Sequence, residues 1–143
     1  MTDLWPADIE KAEKLETPVS ILKQQASLLG ERTNQVVIAK VAQTEKEHAL
    51  PDSDDFAYDF FIAAPALGNY RYRLFTLTYG IELYPLVFKL DTDIKAELAP
   101  KPASPRYDLR VNSKEEYLEA LKKIFAAHKT VKLVRAIIGQ SGN

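Results

Sequence analysis

Apolar positions along the chain fall into stretches of helical period and stretches of strand period. Thr17-Pro18 marks the first start: a threonine hydroxyl can accept from an orphan backbone amide, and proline in the first helical turn gives up a donor that has no partner there. Ile21, Leu22, Gln25, Leu28 and Leu29 follow at helical spacing. The pattern predicts an amphipathic helix over 17–29, closed by Gly30 in the left-handed conformation. Residues 8–16 favour helix by propensity, yet their apolar row is limited to Ile9, Ala12 and Leu15. This predicts a loosely attached helical arm over 1–16.

The period changes from Asn34 onward. Residues 36–44 are β-branched and lack the helical pattern, which predicts a strand. Residues 45–55 combine charge with turn formers, as a loop over solvent should. Phe56, Tyr58, Phe60, Ile62 and Ala64 then alternate with Ala57, Asp59, Phe61 and Ala63, the pattern of a strand with one heavily apolar face. Turns over 65–69 and 80–82 separate it from strands over 70–79 and 83–90. Three strands on short connections predict an antiparallel meander.

Residues 93–98 fit either an edge strand or a short helical turn. Pro100, Pro102 and Pro105 make 99–107 an extended connector. Ser113 with Glu116 forms a reciprocal cap, and Tyr117, Leu118, Leu121, Ile124 and Phe125 continue at helical spacing. A helix over 114–128 follows. Thr130 could cap a last helix over 131–138, where β-branched content also admits a strand. The order α-β-β-β-β-α-α predicts one α+β domain over 1–143, a four- to five-stranded antiparallel meander with its N-terminal and C-terminal helices packed on one face.

Composition narrows the chemistry. The 143 residues suit one domain and include no Cys, which excludes disulfides, thiolate nucleophiles and Cys-built metal sites. His48 and His128 are the only imidazoles. With 19 Lys+Arg against 20 Asp+Glu, the chain lacks the basic footprint of a protein that coats nucleic acid or anionic lipid. The N-terminus has neither the basic start nor the apolar run of a secretory signal. The apolar stretch over 60–67 is far short of the ~20 residues that cross a bilayer. A cytoplasmic protein is expected, without a membrane and without nucleic acid as partner.

No catalytic set converges in the sequence. His48, Asp52, Asp54 and Asp55 offer ligand types for a hard cation, but the glycine and terminal glutamate of a calcium loop are missing, so a solvated acidic loop is expected and no metal. Asp93-Ile94-Lys95 is too remote from Asp52 for a metal-dependent nuclease. No serine sits in a Gly-x-Ser-x-Gly elbow, and His128 suits the end of a helix, where an imidazolium favours the carbonyl dipole. No cofactor is expected.

The aromatics carry the remaining signal. Ten of the fourteen lie between Phe56 and Phe88. By simple alternation Tyr70, Tyr72 and Leu74 point one way and Phe75, Leu77 and Tyr79 the other, so both sheet faces are expected to be partly apolar. Asn69-Tyr70-Arg71-Tyr72-Arg73 sets two tyrosines against two arginines. Arg71 and Arg73 can pair across strands with Asp59 or Glu82, or meet a partner, since Tyr and Arg are enriched at interface centres. The expected function is a small non-catalytic interaction domain of adaptor, chaperone-like or immunity type, using Tyr58, Tyr70, Arg71, Tyr72, Arg73 and Tyr84. Its protein partner includes, in the simplest case, a second copy in a homodimer. The alternative is a small-molecule-binding domain or cofactor-free enzyme, with those six residues lining a pocket between sheet and helices.

Overall fold

The computed structural model describes residues 1–10, 15–44 and 55–141. Thr17 is the N-cap of α1 (Pro18–Arg32), its hydroxyl accepting from the Ser20 amide at 3.2 Å. The helix runs past Gly30, which does not close it. Asn34 and Gln35 take the left-handed conformation instead, with φ 51° and 65°, and the Gln35 amide donates to the Gly30 carbonyl at 2.8 Å. A Cβ at position 30 would lie 2.9 Å from the Gln35 side-chain oxygen, the movable end of a flexible side chain.

The sheet is an open antiparallel meander of β1 (Ile38–Gln43), β2 (Phe56–Ala64), β3 (Tyr70–Tyr79), β4 (Leu86–Leu90) and β5 (Leu109–Val111), in that spatial order. Together with four helices it forms an α+β fold, the helices on one face. The ambiguous stretch after β4 is helical, α2 (Thr92–Leu98), because the Asp91 carboxylate accepts from the Asp93 and Ile94 amides at 3.0 and 3.2 Å. Short β5 follows the proline connector. Asp108 fixes it there: its backbone amide donates to the Phe88 carbonyl and its carboxylate accepts from the Leu90 amide at 2.7 Å.

Ser113 caps α3 (Lys114–Ala126), accepting from the Glu116 amide at 3.2 Å. That helix stops before His128, which opens α4 (His128–Ser141) rather than ending α3. Residues 131–138 are helical. The Thr130 hydroxyl does not cap α4; it donates to the Ile124 carbonyl at 2.7 Å and so closes α3. A turn is thereby held between two helices that follow one another almost without a linker.

The register of β2 and β3 overturns the two-sided reading of the aromatics. Phe60 pairs with Phe75 but Phe61 pairs with Arg73, leaving Leu74 as an extra residue on β3. Such a bulge reverses the alternation beyond it. Tyr70 and Tyr72 therefore share a face with Phe75, Leu77 and Tyr79, and that face meets the helices. Phe60 stacks on Phe75 at 5.2 Å and touches Phe125 of α3, while Phe75 packs edge-on to Phe88 and Phe88 against Tyr117. Pairs of this kind each add about 0.5–1.5 kcal/mol beyond area burial. Tyr117, fully buried, donates its hydroxyl to the Pro18 carbonyl at 2.8 Å and so ties α3 to the start of α1.

Burial holds these tyrosines neutral. It pushes Tyr79 up to about 12 and raises Tyr117 further, with the neighbouring Tyr84 and Tyr79 adding to the shift. An unfolded tyrosine ionises near 10, so above that pH the unfolded chain releases protons that the folded chain keeps. Stability is fully present below pH ~10 and is lost as pH rises toward the folded values. Thermal melts should give a flat melting temperature from neutral pH to about 9.5 and a steep decline above about 10, with the decline reduced in Tyr117→Phe.

Candidate interaction surface

Alternation along β2 sends Asp59 and Phe61 to the side away from the helices, and the strand pairings carry that side across the whole sheet. Lys40 lies opposite Phe61, Phe61 opposite Arg73, Ala63 opposite Arg71, Thr76 opposite Lys89 and Val87 opposite Arg110. Lys40, Arg71, Arg73, Lys89 and Arg110 are all exposed. Four of the five strands thus contribute a cation to one open face. The small residues between them, Ala57, Ala63, Thr76 and Thr78, are shielded to below a tenth of their area. Long basic side chains thus stand over a layer of small shielded residues.

A buried carboxylate, Asp59, lies on this face, and Asp55 follows on the same side at its edge, beside Gly80. Asp59 is buried, accepts from the Thr76 hydroxyl at 2.6 Å and faces the Arg73 guanidinium at 3.8 Å. The expected cross-strand pairing therefore exists for Arg73. Arg71 forms no ion pair among the described residues; its guanidinium sits 4.6 Å above the Phe61 ring. That stacking covers the one aromatic ring of the open face with a cation that stays available at its edges.

The six residues singled out in the sequence divide between two environments. Arg71 and Arg73 stand on the open face. Tyr58, Tyr70, Tyr72 and Tyr84 belong to the helix side, where Tyr58 stacks on Tyr79 and Tyr84 meets Tyr117 edge-on. Tyr70, at the start of β3, is the most exposed of the four at 40%. Lys40, Lys89 and Arg110 escaped the sequence reading, although each stands alone between apolar neighbours in its strand, the mark of an outward position.

Tyr72 enters the densest polar cluster. Its hydroxyl donates to Asp91, and Lys129 lies 4.9 Å over its ring while reaching Asp93 at 3.3 Å. The bond to Asp91, then burial, raises the Tyr72 pKa; Asp93, with Tyr72, raises that of Lys129. Both shifts keep the Tyr72 hydroxyl protonated and the Lys129 ammonium charged, the forms that make these contacts. The cluster works as a clamp, joining β3 to α2 and α4.

Between sheet and helices lies a groove of about 580 Å³. Leu28, Phe60, Phe125, Val134 and Ile138 line it, with Arg32 and Arg135 at its margin. None of the six sequence candidates borders it, and the buried polar residues described are four threonines and two aspartates, with no arginine. No group of three or more His, Asp or Glu suited to a metal occurs among the described residues. His48, Asp52 and Asp54 lie outside them. No described helix is long and apolar enough to cross a membrane. Comparison with protein-family models, curated proteins and solved structures finds no match for the chain.

Asp59→Asn, which keeps the shape but removes the charge facing Arg73, should lower stability by roughly 1–2 kcal/mol in urea unfolding. Tyr72→Phe should lose about 1 kcal/mol and leave the open face unaltered, so the two variants separate sheet integrity from clamp integrity.

Proposed function

We propose that the protein is a non-catalytic interaction domain whose open sheet face receives an acidic surface of another protein. One observation carries the reading: four strands set five exposed cations on this face, while Asp59 among them is buried and engaged by Thr76 and Arg73. A surface of one sign raises the encounter rate with a partner of the opposite sign and repels its own kind. Two copies meeting through this face would bring like charges together, so the partner on this side is a different protein.

A protein fits the face better than a nucleic acid does. Single-stranded binders present a row of open rings for base stacking. Here Phe61 is already covered by Arg71, and the tyrosines are turned to the helices.

The test reverses charge where folding does not depend on it. Wild-type protein, Arg71→Glu/Lys89→Glu and a control, Lys132→Glu on α4, are used to capture partners from native lysate by cross-linking. The wild type and control should retain acidic proteins, with binding weakened by salt as expected for exposed charges. The double variant should bind them at least about tenfold more weakly. Equal capture by all three would overturn the proposal, as would retention of labelled single-stranded RNA on nitrocellulose that the double variant abolishes.

A further inference from the structure

Charge is partitioned along this chain in a way the near-neutral total conceals. Residues 1–16 hold five carboxylates and two lysines, and 45–55 five carboxylates and one lysine, leaving sixteen cations against ten carboxylates elsewhere. Both segments are acidic and the rest of the chain is basic. Within residues 1–10 there is no Lys or Arg, but Asp3, Asp8 and Glu10. The same segment leaves Leu4 90%, Trp5 72% and Ile9 56% exposed. Large apolar side chains alternating with acids, in water, call for a surface to cover them.

The groove between α1 and α4 has the complementary chemistry. Its floor is the sheet at Phe60 and Ile62, its apolar rim includes Leu28 and Ile138, exposed at 47% and 43%, and its cations are Arg32 and Arg135. A second hollow, of about 460 Å³, extends it along α3 past Leu118 and Lys122, sharing Gln25 and Phe125. Neither hollow has a carboxylate in its lining. The apolar channel thus carries three cations and is open along its length.

We propose that residues 1–10 of a second copy occupy this groove, Trp5 and its apolar neighbours on the floor and Asp3, Asp8 and Glu10 toward Arg32, Arg135 and Lys122. In the structure the chain's own arm stays outside its own groove. Glu16 is tied to Lys114 at 3.3 Å, at the start of α3, and Leu28 lies about 15 Å farther along α1 at 1.5 Å per residue. An extended arm spans up to ~50 Å at 3.3 Å per residue, enough to cross to a neighbouring molecule. Reciprocal exchange of two arms gives a closed two-fold dimer. This dimer uses a surface distinct from the basic sheet face, so one reading can fail while the other stands.

Trp5 is the only tryptophan, and it reports its own burial. In the full-length protein its emission should move to the blue as concentration rises, in step with a monomer-to-dimer transition in sedimentation. Leu28→Asp/Ile138→Asp on the groove and Leu4→Asp on the arm, all exposed positions, should each raise the dimer dissociation constant roughly tenfold or more, with unchanged far-ultraviolet circular dichroism. Arg71→Glu on the sheet face should leave it unaltered. A blue-shifted monomer at every concentration would place the arm in its own groove and overturn the exchange; solvent-exposed emission at every concentration, or a dimer indifferent to the groove variants, would overturn it as well.

Discussion

One extra residue, Leu74, decides which side of the sheet is which. Without the bulge, the first half of β3 would turn Tyr70 and Tyr72 to solvent and direct Arg71 and Arg73 at the helices, where two unpaired guanidinium groups would be buried at a cost of several kcal/mol each. With it, every ring of β2, β3 and β4 except Phe61 is collected on the helix side. The aromatic core and the cationic open face are two results of the same local geometry, and neither exists without the other.

Around that core, the buried polar groups act as ties. Asp108 holds the short β5 to β4, Asp91 starts α2 while receiving Tyr72, Tyr117 joins α3 to α1, and Thr130 closes α3 just ahead of α4. Each satisfies an orphan backbone group or a buried hydroxyl, which avoids the roughly 1–3 kcal/mol penalty of leaving it unpaired. The helices that flank the groove are thus fixed from below, at their ends, while their outer faces remain free. A groove with open walls results from where the ties are placed.

Much of this was legible in the residues, and the remainder fails for identifiable reasons. Thr17 and Ser113 announced two helices because a cap is a local device, readable within four residues. Gly30 misled because the left-handed residues that follow the helix are Asn34 and Gln35, neither of them glycine. The bulge had no marker: Leu74 is neither glycine nor proline, and only the partner strand reveals that β3 is one residue too long. β5 was hidden by its length of three residues beside a proline-rich connector. At the surface, Arg71 and Arg73 were found because they are adjacent in sequence, whereas Lys40, Lys89 and Arg110 join them only after the strands are laid side by side. The groove draws on α1, β2, α3 and α4 at once, which no periodicity within a single segment can disclose.

The partition of charge bears on the isoelectric point. The sequence value of about 6.1 averages two acidic segments, residues 1–16 and 45–55, with a remainder in which sixteen cations face ten carboxylates. Such a chain is a polyampholyte in blocks, and its solubility should be lowest where the blocks attract each other, at low ionic strength near that average pH, and should improve as added salt screens them. Loss of the first sixteen residues, by proteolysis or alternative initiation, would turn a nearly neutral protein into a cation and change what it adheres to without altering a single residue of the sheet.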